Sequence, residues 1–178
     1  MSTAETLKAS QPEASLPEPW LRGTHTEIAP VLRAVLHALE LAREDLTKWC
    51  GNLSDEELNA RPAGLAPVAF HLRHIARSTD RLLAYAEGSQ LSAEQITAMK
   101  GELAPGATHD DLFKELTTAL EHSATRIRNF DQAQLTMARK VGKKELPTTV
   151  AGLLVHVADH MQRHVGQAIT TAKVVNSH

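Results

Sequence analysis

The chain has 178 residues, which is enough for one domain with a substantial core. It is 42% hydrophobic and 22% charged, as in ordinary globular proteins, and its net charge of −2 gives no broad attraction to nucleic acids or anionic membranes. The single cysteine, Cys50, excludes an intramolecular disulfide and favours a reducing, cytoplasmic location. No signal peptide and no run of about 18 apolar residues is found, so no membrane-spanning helix is predicted.

The first part of the chain differs from the rest in composition. Residues 1–18 are polar and contain prolines at positions 12 and 17. This composition predicts a mobile N-terminal arm, or a strap laid over the domain. Residues 19–178 are then expected to form a single domain.

Four long stretches carry apolar residues at helical spacing. They cover about residues 26–50, 67–87 and 108–129, and a last stretch that begins after Pro147 with Thr148 or Thr149 as its cap. Two short helices are predicted between them, because "SDEE" at Ser54 and "SAEQ" at Ser92 have the capping-box pattern.

The segment between the third and fourth helices is the exception to helical spacing. Residues 136–147, "TMARKVGKKELP", are basic and are predicted to be irregular and exposed. No stretch alternates with period two for long enough to predict a sheet. The fold class is therefore all-α, a four-helix bundle with long crossover connections and short extra helices.

Three of the ten histidines recur at every fourth position of the last helix: His156, His160 and His164. On a helical wheel His164 falls inside the apolar stripe, His160 lies on its edge and His156 lies further off. His156 and His164 are about 12 Å apart along a regular helix, so only two of the three rings can bind one ion. The wheel favours His160 with His164, and a third ligand must come from another helix.

The second helix offers two further histidines, His71 and His74, in "HLRH". Either could complete a metal site, and the wheel places His71 slightly closer to the core. The alternative is that all these histidines are buried packing residues with hydrogen-bond partners.

Other metal motifs fit less well. "HVADH" is not HExxH because Val157 holds the second position, and its match to H-x-x-E-H needs Asp159 in place of glutamate. The chain has no Glu-x-x-His pair of the di-iron type and no C-x-x-C-H haem motif, although haem held between two helix histidines remains open.

Four segments together resemble the DinB-like superfamily of YfiT-like four-helix bundles: "EPWLRGTH", "LSDEELNARP", "FHLRHIARSTDRLL" and "HVADHMQRHVGQ". The resemblance runs from about Trp20 to Thr171. Its most specific part is H-x-x-x-H-x-G-Q, which runs from His160 to Gln167. Many members have arginine before that glycine, where this chain has Val165, so the departure touches the edge of the motif and not its histidines.

The resemblance implies a metal triad of one histidine from the second helix and two from the fourth. Matching "HIARS" to the family pattern points to His74, which gives the set His74, His160 and His164, with His71 and Gln167 lining the cavity or supporting the ligands. The implied cofactor is a divalent metal, zinc or nickel, with water in its open positions.

Characterised members of the superfamily include metal-dependent transferases and isomerases that use mycothiol, bacillithiol or glutathione. The resemblance therefore predicts an enzyme in which the ion activates water or a low-molecular-weight thiol for hydrolysis or thiol transfer to a small-molecule substrate. The alternative is a non-enzymatic stress-response bundle in which the metal is mainly structural. A homodimer through bundle helices is compatible with the resemblance, whereas no nucleic acid or membrane partner is expected.

Overall fold

The structure is a computed structural model that describes residues 16–177. The predicted mobile arm of residues 1–18 falls mostly outside this range. The described elements are six α-helices, three short 3-10 turns and one β-hairpin. The helices are α1 (Pro30–Cys50), α2 (Asp55–Asn59), α3 (Val68–Ala86), α4 (Ala93–Lys100), α5 (His109–Arg128) and α6 (Val150–Val175), the strands are β1 (Ala138–Val141) and β2 (Leu146–Thr149), and the turns cover Pro19–Leu21, Pro62–Gly64 and Ala133–Thr136.

The helix ends follow from their capping residues. Ser54 and Ser92 form the two predicted capping boxes, and the Thr149 hydroxyl caps α6 by accepting a hydrogen bond from the Gly152 backbone N–H. The first long helix begins at Pro30, four residues later than the spacing predicts, because proline fits the first helical position and has no N–H to donate within the helix.

The prediction that residues 136–147 are irregular is wrong, because part of this segment forms a β-hairpin. Its strands pair antiparallel from Ala138 opposite Thr149 to Val141 opposite Leu146. Gly142 supplies a positive φ of 69° at the start of the connecting turn. Strands of four residues are too short for their alternation to be distinguished in the sequence.

The four long helices form the predicted bundle, and their order explains the long crossovers. Helix α6 packs between α1 and α3, and α5 packs on the other side against the same two helices. Helices α1 and α6 run parallel, since the Gln162 amide donates to the Ala38 carbonyl and Lys173 lies over the Trp49 ring. The first and second long helices are therefore diagonal neighbours, which tight hairpins cannot connect.

The core is built from apolar side chains of all four long helices. Its largest fully buried members include Leu36 of α1, Leu72 of α3, Leu116 of α5 and Leu154 of α6. Each such side chain contributes about 1.5–3 kcal/mol by leaving water. Because every helix contributes, the relative placement of α3 and α6 follows from apolar packing, and this packing positions the histidines. None of the helices in residues 16–177 has the length and apolar content needed to cross a membrane.

Candidate metal centre

Helices α3 and α6 bring three histidines together: His74, His160 and His164. One nitrogen from each ring lies within 4.8 Å of the others. His74 Nε2 is 2.8 Å from His160 Nε2, and the His74 and His164 ring centroids are 4.2 Å apart. The rings converge because α3 and α6 pack against each other in antiparallel orientation, which places the face of α3 that carries His74 opposite the face of α6 that carries His160 and His164. Each side chain is half-buried, so the cluster is sheltered and still within reach of solvent.

The second nitrogen of His74 is held by a buried carboxylate. Glu102, in the connection after α4, is 6% exposed, and its Oε2 lies 2.7 Å from His74 Nδ1. Its other oxygen accepts a hydrogen bond of 2.7 Å from Arg81, which lies two helical turns beyond His74 on α3. Since a carboxylate only accepts, His74 Nδ1 carries the proton and the lone pair of a neutral ring lies on Nε2, facing His160.

His71 occupies a different position from His74, one turn earlier on α3. It is 4% exposed, and its Nδ1 lies 3.1 Å from Nδ1 of His164. That contact holds one nitrogen of the His164 ring and leaves its Nε2 free. Phe70 stacks on His74 with ring centroids 5.2 Å apart and also packs against His71 and His164. His71 and Phe70 therefore restrict the rotation of the His164 and His74 rings.

The surroundings keep the α6 histidines neutral. Burial, together with the neighbouring His74, lowers the pKa of His164 to about 4 and moves the pKa of His160 in the same direction. Burial likewise lowers the pKa of His71 to about 4. For Glu102, burial opposes ionisation, but the hydrogen bonds from His74 and Arg81 outweigh it and the pKa is lowered overall. At neutral pH the rings of His160, His164 and His71 are thus neutral, and the Glu102 carboxylate is ionised.

The remaining residues singled out in the sequence lie around this cluster. His156 is exposed and lies 3.7 Å from the Asp159 carboxylate, outside the group of converging nitrogens. Gln167 is exposed and lines a surface cavity of about 550 Å³, whose wall also includes Phe70, His71 and Arg163. The three clustered histidines are not part of its wall, and His71, which contacts His164, lies between the cavity and the cluster.

Sequence reasoning missed Glu102. Arg81 is nearly buried and binds Glu102, so it too belongs to the surroundings of the cluster. The spacing of Arg81 from His74, two helical turns on one face, was the one available signal. Glu102 carries no such signal because it lies 28 residues from His74 in an irregular connection.

The donor set fits a divalent metal ion. Three imidazoles from two helices are typical of sites that leave coordination positions open for water or substrate. A histidine ligand whose other nitrogen donates to a carboxylate is the usual supporting arrangement around such ions. The residues present therefore match the divalent metal ion that the family resemblance implies.

The fold and the site together define the class of protein: a four-helix bundle whose second and fourth long helices carry converging histidines, and hence a candidate metal-binding protein. The family model of the DinB superfamily matches residues 38–168 of the chain, which include the whole histidine cluster. The chain belongs to the DinB superfamily.

A solved structure supports the same fold. The chain is similar to a conserved protein from Enterococcus faecalis, with a TM-score of 0.68 and 20% sequence identity, over 83% of this chain and 98% of that one. No match is found among curated proteins.

Proposed function

We propose that His74, His160 and His164 bind a divalent metal ion, zinc or nickel, and that the protein is a metal-dependent enzyme acting on a small molecule. The observation that carries the proposal is the combined arrangement of three converging imidazoles and the buried Glu102 behind one of them. Buried packing histidines require hydrogen-bond partners, but they do not require three nitrogens to face a common centre.

Each residue has a distinct part in the proposed site. His160 and His164 present neutral rings from one helix face, and His74 presents Nε2 because Glu102 holds the proton on Nδ1. Arg81 keeps Glu102 ionised by donating to its second oxygen. When bound, a divalent ion supplies a Lewis acid that lowers the pKa of water or a thiol toward neutrality.

The cavity of about 550 Å³ beside His71 is the proposed substrate site. Its size suits a small organic molecule. Phe70 provides an apolar wall, whereas Arg163 and Gln167 provide polar groups that bind and orient a substrate. The wall includes His71, which contacts His164, so a low-molecular-weight thiol bound here lies next to the residues that surround the cluster. Hydrolysis uses water in the same position.

The thiol proposal is tested with cobalt-substituted protein. We expect added glutathione, bacillithiol or mycothiol to change the visible absorption spectrum of the bound Co²⁺, and H160A/H164A protein to show no thiol-dependent change. If none of the three thiols changes the spectrum, the transferase version is wrong and the hydrolytic version is left.

A structural role for the metal is the second candidate function, because the cluster joins α3 to α6. Chelation separates the two roles. If removing the metal abolishes helicity at 25 °C, the ion mainly stabilises the bundle. We expect the helicity to persist, since the apolar core extends through all four long helices. We also propose that the protein is cytoplasmic and forms a homodimer through its bundle helices.

A further inference from the structure

A second group of metal-binding side chains lies at the start of the bundle. His37 and Glu40 are one turn apart on α1, and His25 is in the loop before that helix. One ligand atom from each lies within 4.8 Å of the others. His25 Nε2 is 2.8 Å from Glu40 Oε1, and the two imidazole rings have their centroids 5.6 Å apart.

The loop is held against α1 in a conformation that directs His25 at the helix. His25 has a φ of +56°, a left-handed conformation that is uncommon and unfavourable for a residue with a side chain. Such conformations persist only where surrounding contacts impose them. Here Arg22 donates to both oxygens of Glu44 on α1, at 2.6 and 2.8 Å, and also to the Pro17 carbonyl.

The donors define the kind of ion. Two imidazoles with one carboxylate are a common zinc ligand set and also suit other divalent transition metals, whereas Mg²⁺ and Ca²⁺ prefer sites made of oxygen. The Thr24 hydroxyl lies 3.0 Å from His37 Nε2 and restrains that ring. His37 is buried, while His25 and Glu40 are half-buried and accessible to an ion from solvent.

A cavity opens beside the group and provides the remaining coordination space. It has a volume of about 350 Å³, and its wall includes Trp20, Thr24, Arg33 and His37. Water or an anion in this cavity can approach a bound ion next to His37. The cluster therefore has suitable ligand atoms, neighbouring contacts that hold them in place, and a cavity through which an ion and water can enter.

We propose that His25, His37 and Glu40 form a second site for a divalent transition-metal ion, Zn²⁺ in the first instance. The ion joins the loop before α1 to the first turns of that helix. The proposal does not depend on the function of the triad on α3 and α6, because no residue is shared between the two groups.

Zinc titration of chelator-treated protein tests the second site. Isothermal titration calorimetry of H160A/H164A protein is expected to show one remaining equivalent of Zn²⁺. His25→Gly in that background removes a ligand without creating strain at a positive φ, and is expected to remove the equivalent. Glu40→Gln is expected to weaken binding by more than the roughly 10–100-fold that loss of an outer partner costs.

Thr26→Gly in the same background is the matched control, since Thr26 is an exposed neighbour in the same loop. It is expected to bind Zn²⁺ like the H160A/H164A parent. The proposal is overturned if that parent binds no zinc, or if its equivalent survives His25→Gly. Failure of the triad appears separately, as an unchanged stoichiometry when H160A/H164A is compared with the wild type.

Limited trypsin digestion gives a second measurement that does not rely on affinity. In the H160A/H164A background, Zn²⁺ is expected to slow cleavage after Arg22 at least several-fold, because the ion holds the following residues on α1. The protection is expected to disappear in the variant that also carries His25→Gly. Equal cleavage rates with and without Zn²⁺ in the parent would contradict the proposal.

Discussion

At the residue scale, His71 and His74 show what helical spacing can and cannot predict. The wheel places His71 closer to the core, and it is indeed the more buried of the two. Burial, however, is a poor criterion for a ligand, because a ligand must face a shared space. His74 faces that space, since the antiparallel approach of α6 brings His160 to it. Convergence between helices depends on their rotation in the bundle, which the pattern of one helix does not contain.

The α6 histidines lead to the first prediction. His160→Ala or His164→Ala is expected to abolish metal binding at the triad, because each leaves only two of three converging nitrogens. His156→Ala is the control on the same helix and is expected to retain binding, since His156 is exposed and directed at Asp159. Equilibrium dialysis with Ni²⁺ measures the change. If His71→Ala abolishes binding and His74→Ala does not, the assignment of the α3 ligand is wrong.

Glu102 leads to the second prediction. Glu102→Gln removes the negative charge and leaves one acceptor oxygen where His74 and Arg81 now use two, and is expected to weaken metal binding about 10–100-fold. Glu121→Gln, on the exposed surface of α5, is the matched control and is expected to have no effect. Competition with a chromophoric chelator measures both affinities. Equal affinities for the two variants would show that Glu102 does not support the site.

Cys50 leads to the third prediction. It is fully buried at the end of α1, and burial raises the pKa of its thiol to about 12. A raised pKa keeps the thiol protonated and unreactive well above neutral pH, because the thiolate is the nucleophile. Folded protein at pH 8 is expected to react negligibly with Ellman's reagent, and unfolded protein in guanidinium chloride to release one equivalent. Rapid reaction of folded protein would contradict this.

At the element scale, the long helices could be predicted because their apolar stripes and capping residues are local. Ser54 and Ser92 open α2 and α4 as their capping boxes predict. The β-hairpin could not, since its strands have four residues each and depend on contacts made elsewhere. Arg139 of β1 donates to the Ala86 carbonyl at the end of α3, and Val150 donates to the Met137 carbonyl. The hairpin is thus stabilised by its attachment to two helices.

Helix α6 leads to the fourth prediction, on the strength of its packing. Leu154 is fully buried, and Leu154→Ala is expected to lower the free energy of unfolding by about 2–5 kcal/mol. The adjacent Val155 is 56% exposed, and Val155→Ala is expected to change the free energy of unfolding by less than about 0.5 kcal/mol. Chemical denaturation followed by circular dichroism measures both. Similar losses in the two variants would contradict the assigned orientation of α6.

At the scale of the whole molecule, the fold class follows from the absence of long alternating stretches, but the order of the helices in space does not follow from any local pattern. Helix α3 is antiparallel to α6 and parallel to α5, as the Arg77–Glu115 and Arg126–Asp80 ion pairs show by their order along both helices. This arrangement requires the long connections that contain α2, α4 and the hairpin. One of them delivers Glu102 to His74, which explains why the supporting carboxylate could not be predicted.

The bundle as a whole leads to the fifth prediction. A ligand that binds only the folded state stabilises it by about 2.7 kcal/mol at a concentration 100 times its dissociation constant. For a chain of this size, that corresponds to a rise in Tm of about 5–10 °C. We expect Ni²⁺ to raise the Tm of the wild type by this amount more than that of H160A/H164A, in differential scanning calorimetry. Identical rises would place the stabilising ion elsewhere.

The separation of the triad along the chain bears on when the site can form during synthesis. His160 follows His74 by 86 residues, and α5 and the hairpin lie between them. At the usual speed of translation, roughly 5–20 residues per second, several seconds pass between the emergence of the first imidazole and that of the other two. Until α6 has left the ribosome, the nascent chain presents only His74 of the three ligands and competes poorly for scarce ions. Binding of the proposed metal ion is therefore expected late, when the last helix docks.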